Sequence, residues 1–178
     1  MVAGIIVQTA FTQDLKTGVK TGGTTTDSKI RIGQDYQGGR VFYLNPADGG
    51  GLIAAPADQS TYVQFGCFGE HIEGTSTEKG TGAKNTKILT AACNSLYMAA
   101  KTCDTLSLNG YHDWYVPSRD ELSLLWEKRD TIGGFVPEWY WSSSEYNTNY
   151  GWFVYFPDGR QMYANRFNFI HLRCIRSF

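Results

Sequence analysis

Hydrophobic residues along this chain follow two periods, and each marks a different kind of element. GGRVFYLNPADGGGLIAAP at 38–56 places apolar runs at 40–44 and 52–55 around a Pro/Asp/Gly turn, the signature of a β-hairpin. GCFGEHIEGTSTEKGTGAK at 66–84 has no period and reads as a long loop. In NTKILTAACNSLYMAAKTC at 85–103, Ile88, Ala92, Leu96 and Ala99 share one helical face. The pattern predicts a single helix with Asn85 as its cap. Ser118 and Glu121, directly after Pro117, form an S-x-x-E capping box that opens a second helix. Its buried face is Leu122, Leu125 and Trp126, and IGGF at 132–135 ends it. From Trp139 the pattern shortens to strands: WYWSSS, GWFVYF, RQMY and LRCIR, with Pro157-Asp158-Gly159 turning between the second and third. The order predicts an α+β domain, two helices packed on short antiparallel sheets.

Side chains on a strand alternate between faces. In GWFVYF this puts Trp152, Val154 and Phe156 on one side and Phe153 and Tyr155 on the other. Val154 marks the first side as core, with Trp141 also beneath, so Phe153 and Tyr155 are expected to point outward. ANRFNFI at 164–170 has no such alternation. Around it, aromatics mix with amides, hydroxyls and arginine, a vocabulary suited to recognition. Tyrosine gives rigid contact area at low entropic cost, and asparagine gives adaptable hydrogen bonds. The candidate binding face is therefore Tyr146, Asn147, Asn149, Tyr150, Phe153, Tyr155, Arg160, Tyr163, Asn165, Arg166, Phe167, Asn168, Phe169 and His171.

Composition narrows the function classes. The chain has 178 residues, 42% of them hydrophobic and 15% aromatic, enough for one packed domain. A formal net charge of −1 gives no pull toward nucleic acid. No apolar run is long enough to insert into a membrane. MVAGIIVQTAF at 1–11 lacks the basic start of a secretion signal and reads as a strand or docking segment. LKTGVKTGGTTTDSK at 15–29 has no core periodicity. Residues 1–37 are thus expected to be an arm for oligomerisation or attachment, and 38–178 the folded domain.

Cys67, Cys93, Cys103 and Cys174 are even in number and show no zinc spacing. On one continuous helix Cys93 and Cys103 would stand ~15 Å apart, beyond the roughly 7 Å a disulfide spans. Two pairings remain: 67–93 with 103–174, or 67–103 with 93–174. Disulfides would place the protein outside the cell, on a cell surface or on a virion. The three histidines have no motif spacing, and no nucleophile elbow or phosphate loop is present. No cofactor, metal or enzymatic activity is expected.

NGYHDWYVPSRDEL, YWSSSE, GWFVYFPDG and LRCIRSF together resemble the Lcl C-terminal-type domains, a branch of the C-type lectin fold related in fold to the formylglycine-generating enzyme. The C-terminal stretch is also similar to the variable region of diversity-generating retroelement proteins, among them phage tropism determinants. That resemblance implies a rigid scaffold displaying a mutable face for a protein or glycan-bearing surface ligand. It also implies a bridge between Cys103 and Cys174, which leaves Cys67 with Cys93. An oxidase of the formylglycine-generating kind would need a reactive thiol pair. A calcium-dependent lectin would need an oxygen cage, for which Glu145, Asn147 and Asn149 could supply part, but the Glu-Pro-Asn and Trp-Asn-Asp triplets of sugar-binding relatives are absent. A structural subunit of a virion, pilus or cell surface is the remaining alternative.

Overall fold

The computed structural model describes residues 29–95 and 97–178. Residues 1–28, which carry the 1–11 run and most of the Gly/Thr/Lys stretch, lie outside the described residues, as does Leu96. The described residues form an α+β fold of two sheets and four short helices. It opens with β1 (Asp35–Tyr36), β2 (Gly39–Leu44), β3 (Gly51–Ala54) and β4 (Ser60–Val63). Helices α1 (Gly82–Ala92), α2 (Ala99–Asp104), α3 (Arg119–Glu127) and α4 (Arg129–Ile132) follow. It closes with β5 (Trp139–Asn147), β6 (Tyr150–Tyr155), β7 (Arg160–Asn165), β8 (Ile170–Leu172) and β9 (Ile175–Ser177).

The first sheet runs β1-β2-β3-β9 and the second β4-β8-β5-β6-β7. The expected hairpin is β2–β3, with Val41 opposite Ile53. The sheet reaches back past Gly38, because Asp35 pairs with Arg40 and Tyr36 with Gly39. Ile30 and Tyr36 also pack against the core. One contact departs from the antiparallel expectation: β5 and β8 run parallel at Tyr140 and His171.

The helix expected over 85–103 is two helices. α1 begins at Gly82, and Asn85 does not cap it. Asn85 is buried one turn inside, where its side chain accepts from Ser76 N at 2.9 Å and donates to Ser76 O at 2.7 Å. The buried face of α1 runs through Gly82, Asn85, Thr86 and Leu89, while Ala92 is exposed. The chain leaves the helix at Cys93, which is extended and bonded to Cys67. Met98 then forms a bridge with Gln64 before α2 begins. These two outside contacts hold the linker where helix propensity alone would have continued.

Both disulfides take the pairing that the resemblance implied, Cys67–Cys93 and Cys103–Cys174, each with Cα atoms 5.6 Å apart. The helix-length argument against a 93–103 bridge does not hold, since its premise of one continuous helix is false. α3 keeps its expected start. Ser118 Oγ accepts from Glu121 N at 3.3 Å, and Glu121 Oε2 accepts from Ser118 N at 2.8 Å. Leu122 and Leu125 are fully buried and Trp126 is half-buried.

Strand β6 divides two cores. Val154 belongs to the cluster that holds Phe42, Leu122, Leu125, Tyr140 and Phe156, while Phe153 on the opposite face belongs to the one that holds Val41, Phe65, Trp141 and Leu172. Phe153 is only 2% exposed. This overturns its expected outward orientation. Alternation correctly put Phe153 and Val154 on opposite faces, but both faces are covered.

Glu121 is buried, and desolvation holds its carboxyl above the usual range despite the backbone donors around it. A raised folded-state pKa gives stability that is present below the ordinary value of 4.5 and is lost as pH rises through the folded value. Glu121→Gln, which does not titrate, should therefore be least favourable relative to wild type in acid. The deficit should shrink as pH rises from about 4 to about 8, read as the melting-temperature difference.

Candidate functional site

The β5–β6 hairpin, β7 and the 165–169 turn converge at one end of the five-stranded sheet. Asn147 shapes the hairpin tip, where its side-chain oxygen accepts from Asn149 N at 2.9 Å and Tyr150 N at 3.0 Å. Behind it Gly151 lies against the Phe65 ring, where an added Cβ would come within 2.3 Å. The three serines of β5 are buried and bonded. Ser142 donates to Trp152 O, Ser143 to Pro117 O and Ser144 to Ser76 O. They tie β5 to β6, to the segment before α3 and to the loop around Ser76.

Two aromatic clusters stand on this frame. In the first, Tyr146 and Tyr163 stack at 4.0 Å with rings parallel to within 1°. Tyr150 meets Tyr163 edge-on at 5.6 Å. Trp152 lies half-buried beneath, perpendicular to both stacked tyrosines, and the Arg119 guanidinium covers it at 5.0 Å. In the second, Phe167 stacks on Phe68 at 4.2 Å and Phe169 on Tyr62 at 3.8 Å. Tyr97 lies nearby, since its carbonyl accepts from Gln64 N and the Gln64 side chain donates to Phe167 O. The segment 165–169 joins the clusters. All of these rings except Trp152 are at least 36% exposed, unusual for a monomer surface.

Arg166 is a second correction. It was expected on the binding face, but it is fully buried beneath it. Its guanidinium donates to Cys67 O at 2.8 Å and Glu70 O at 3.0 Å, and also to Asn147 O. It pairs with Glu145 at 2.7 Å. The same carboxylate accepts from Ile72 N at 2.8 Å and contacts His71 Nδ1 at 2.7 Å. Glu145 and Asn147 thus spend side-chain oxygens inside the frame, which engages two of the three oxygen donors considered for calcium.

The other candidate residues divide by place. Tyr146, Asn147, Asn149, Tyr150, Tyr163, Phe167, Asn168 and Phe169 are exposed at this end, and Asn165 is half-buried. Arg160 is exposed at the far end of β7, ~17 Å away at ~3.4 Å per residue, and pairs with Asp158. Tyr155 lies under it, half-buried against the core. His171 belongs to another cluster, 3.4 Å from Asp58, which also accepts from Tyr140 at 2.8 Å and Arg173 at 2.7 Å. Burial pushes the Tyr140 phenol up, so it stays protonated and donates.

Tyr62, Phe68 and Tyr97 were not anticipated. The alternation in STYVQF at 60–65, with Val63 and Phe65 inward, carries the signal for Tyr62. Phe68 and Tyr97 sit in irregular segments beside Cys67 and Met98, where no period points outward.

The family model of the Lcl C-terminal domain matches residues 73–176, a span containing both the Tyr146–Tyr163 cluster and the 165–169 turn. This chain belongs to the Lcl C-terminal domain family. No curated protein matches it. The Lcl C-terminal domain points to a surface or binding-type protein, and the two disulfides fit an oxidising compartment, as on secreted and surface proteins. Among the described residues no helix is long and apolar enough to cross a membrane. Tyr62 and Phe68 precede the matched span, so the second cluster is built partly from outside the Lcl C-terminal segment.

Frame and display residues should respond differently to mutation. Arg166→Met should cost about 3–5 kcal/mol, because it leaves the buried Glu145 carboxylate unpaired. Phe153→Ala should cost a similar ~3–5 kcal/mol through its cavity. Phe167→Ala should stay within about 0.5 kcal/mol. Urea unfolding of the three variants checks the division.

Proposed function

We propose that this Lcl C-terminal domain is a non-enzymatic receptor-recognition module on a C-type lectin-type scaffold. Its ligand is a protein or glycan-bearing surface molecule that docks on the two aromatic clusters. The observation that carries the reading is the pairing of exposed, mutually stacked rings with a buried polar frame. The rings rest on backbone, disulfide and ion-pair constraints at the edge of the core, so they are ordered before a ligand arrives. Preorganised tyrosine and phenylalanine lose little entropy on binding. All four cysteines are in disulfides, which supports a binding role over thiol chemistry.

The retroelement resemblance gives the reading a finer form, a face diversified between copies. The frame suits such variation, because the exposed positions make few contacts that the fold requires. Copies of the gene from one source should then differ at positions such as Tyr146, Asn149, Tyr163, Phe167 and Asn168. Arg166, Ala164 and Ile170, which are buried, should stay constant. Differences spread evenly over buried and exposed positions would count against diversification.

The binding reading is tested on arrays of extracellular proteins and of glycans. Wild type is compared with Tyr146→Ala/Tyr163→Ala, with Phe167→Ala/Phe169→Ala, and with Glu127→Ala at the exposed end of α3. Hits should weaken by about 2 kcal/mol or more in at least one aromatic double variant and persist in the Glu127 control. Hits that survive both double variants unchanged would place the site elsewhere.

A further inference from the structure

Among the described residues four strands end the two sheets: β1, β9, β4 and β7. Three of these edges are short or closed. β1 has two residues. β9 is capped by Tyr115, whose N–H donates to Ile175 O at 2.8 Å and whose carbonyl accepts from Ile175 N at 2.9 Å. β4 is bulged, and the residue after it, Gln64, is bridged to Met98. β7 differs. It is six residues long and pairs with β6 in unbroken register from Arg160 opposite Tyr155 to Asn165 opposite Tyr150. No described strand lies on its other side.

Two hydrogen bonds fix which groups of β7 face outward. Arg166 N donates to Asn149 O at 3.0 Å across the β6–β7 ladder, and Phe156 N donates to Glu138 O at 3.0 Å across the β5–β6 ladder. Antiparallel pairing alternates. Arg160, Met162 and Ala164 therefore bond β6, and Gln161, Tyr163 and Asn165 turn their amides to the open edge. Natural edges are usually blunted by proline, lysine or a bulge. RQMYAN has none of these, and its one charged residue, Arg160, sits at the strand's end and is paired with Asp158.

We propose that β7 pairs antiparallel with β7 of a second copy of this chain, around a two-fold axis at Tyr163. The two five-stranded sheets then become one continuous sheet. The strand is self-complementary in that register. Tyr163 faces its symmetry mate, Gln161 faces Asn165, and Met162 faces Ala164. Aromatic meets aromatic, amide meets amide and apolar meets apolar; Arg160 comes opposite Arg166, but Arg166 is buried and neutralised by Glu145, and Arg160 is paired with Asp158. About four backbone hydrogen bonds form to free groups, and two more would share Asn165 O, which already accepts from Asn168 N at 2.8 Å. The axis is perpendicular to the sheet, so both Tyr146–Tyr163 stacks lie on the same side, and a multivalent surface would be engaged twice. The pairing does not depend on the ligand reading.

The test uses the full chain in sedimentation velocity from about 5 to about 500 µM, with amide hydrogen exchange at both ends of the range. The expected result is a reversible monomer–dimer equilibrium, with Gln161 and Tyr163 amides protected only at high concentration. Tyr163→Pro removes an outward amide without touching the β6 ladder. Tyr163→Lys sets like charges face to face. Each should raise the dissociation constant at least about tenfold while leaving the monomer's melting temperature close to wild type. A chain that stays monomeric throughout overturns the proposal, and so does a dimer that both variants leave unchanged. Protection of Gln161 and Tyr163 at every concentration would mean that the chain's own first residues cover the edge, which also overturns it.

Discussion

The exposed end of this protein depends on one buried ion pair. Arg166 and Glu145 are both withdrawn from water, a costly arrangement unless every remaining donor and acceptor is matched. Here the guanidinium reaches carbonyls of Cys67, Glu70 and Asn147, and the carboxylate takes Ile72 N–H and the His71 ring. A planar group with five donors can join three loops at once, and a lysine could not. The pair therefore extends the edge of the hydrophobic core, packing over Phe65 at 5.0 Å, into loops that bury little apolar surface of their own. It is the reason the aromatic rings above it can be exposed without the loops collapsing.

The same device recurs at the other end of β8. Arg173 pairs with Asp58 at 2.7 Å, donates to Ala55 O and Gly134 O, and stacks on Phe135 at 4.1 Å. Arg176 makes a two-pronged contact with Asp113. Three arginines of the last thirteen residues thus hold irregular segments from the first two-thirds of the chain. The disulfides extend this pattern, Cys103–Cys174 tying α2 to the segment between β8 and β9, and Cys67–Cys93 tying the 66–72 loop to the end of α1. Much of the scaffold's order in its loops comes from polar and covalent ties, while the two hydrophobic cores hold the sheets and helices.

Such a division of labour separates stability from display. Tyr146, Tyr163, Phe167 and Phe169 contact mainly one another and other exposed rings. Their replacement alters the surface while the frame beneath remains. Phe153, one ladder position from Tyr163, belongs wholly to the core. Display is therefore a property of the hairpin tip, the 165–169 turn and the outer face of β7, and ends where β6 becomes sandwiched between the two clusters.

The sequence by itself determined the β2–β3 hairpin, the capping box of α3, the β6–β7 turn and the α+β order, because those signals are local. Turn residues, caps and period-two alternation act over a few residues and need no distant partner. It also marked most of the exposed aromatics, since few core segments mix tyrosine and phenylalanine so densely with asparagine. Tertiary structure decided whatever depended on what covers a face. Alternation separated Phe153 from Val154 but could not say that both sides of β6 are packed. Arg166 looked like a surface hot spot because arginine usually is one, and only the meeting of three loops made a buried site for it. The break between α1 and α2 had the same origin: Cys93 and Met98 are held by Cys67 and Gln64, partners almost thirty residues away or more, beyond the range of any helical signal.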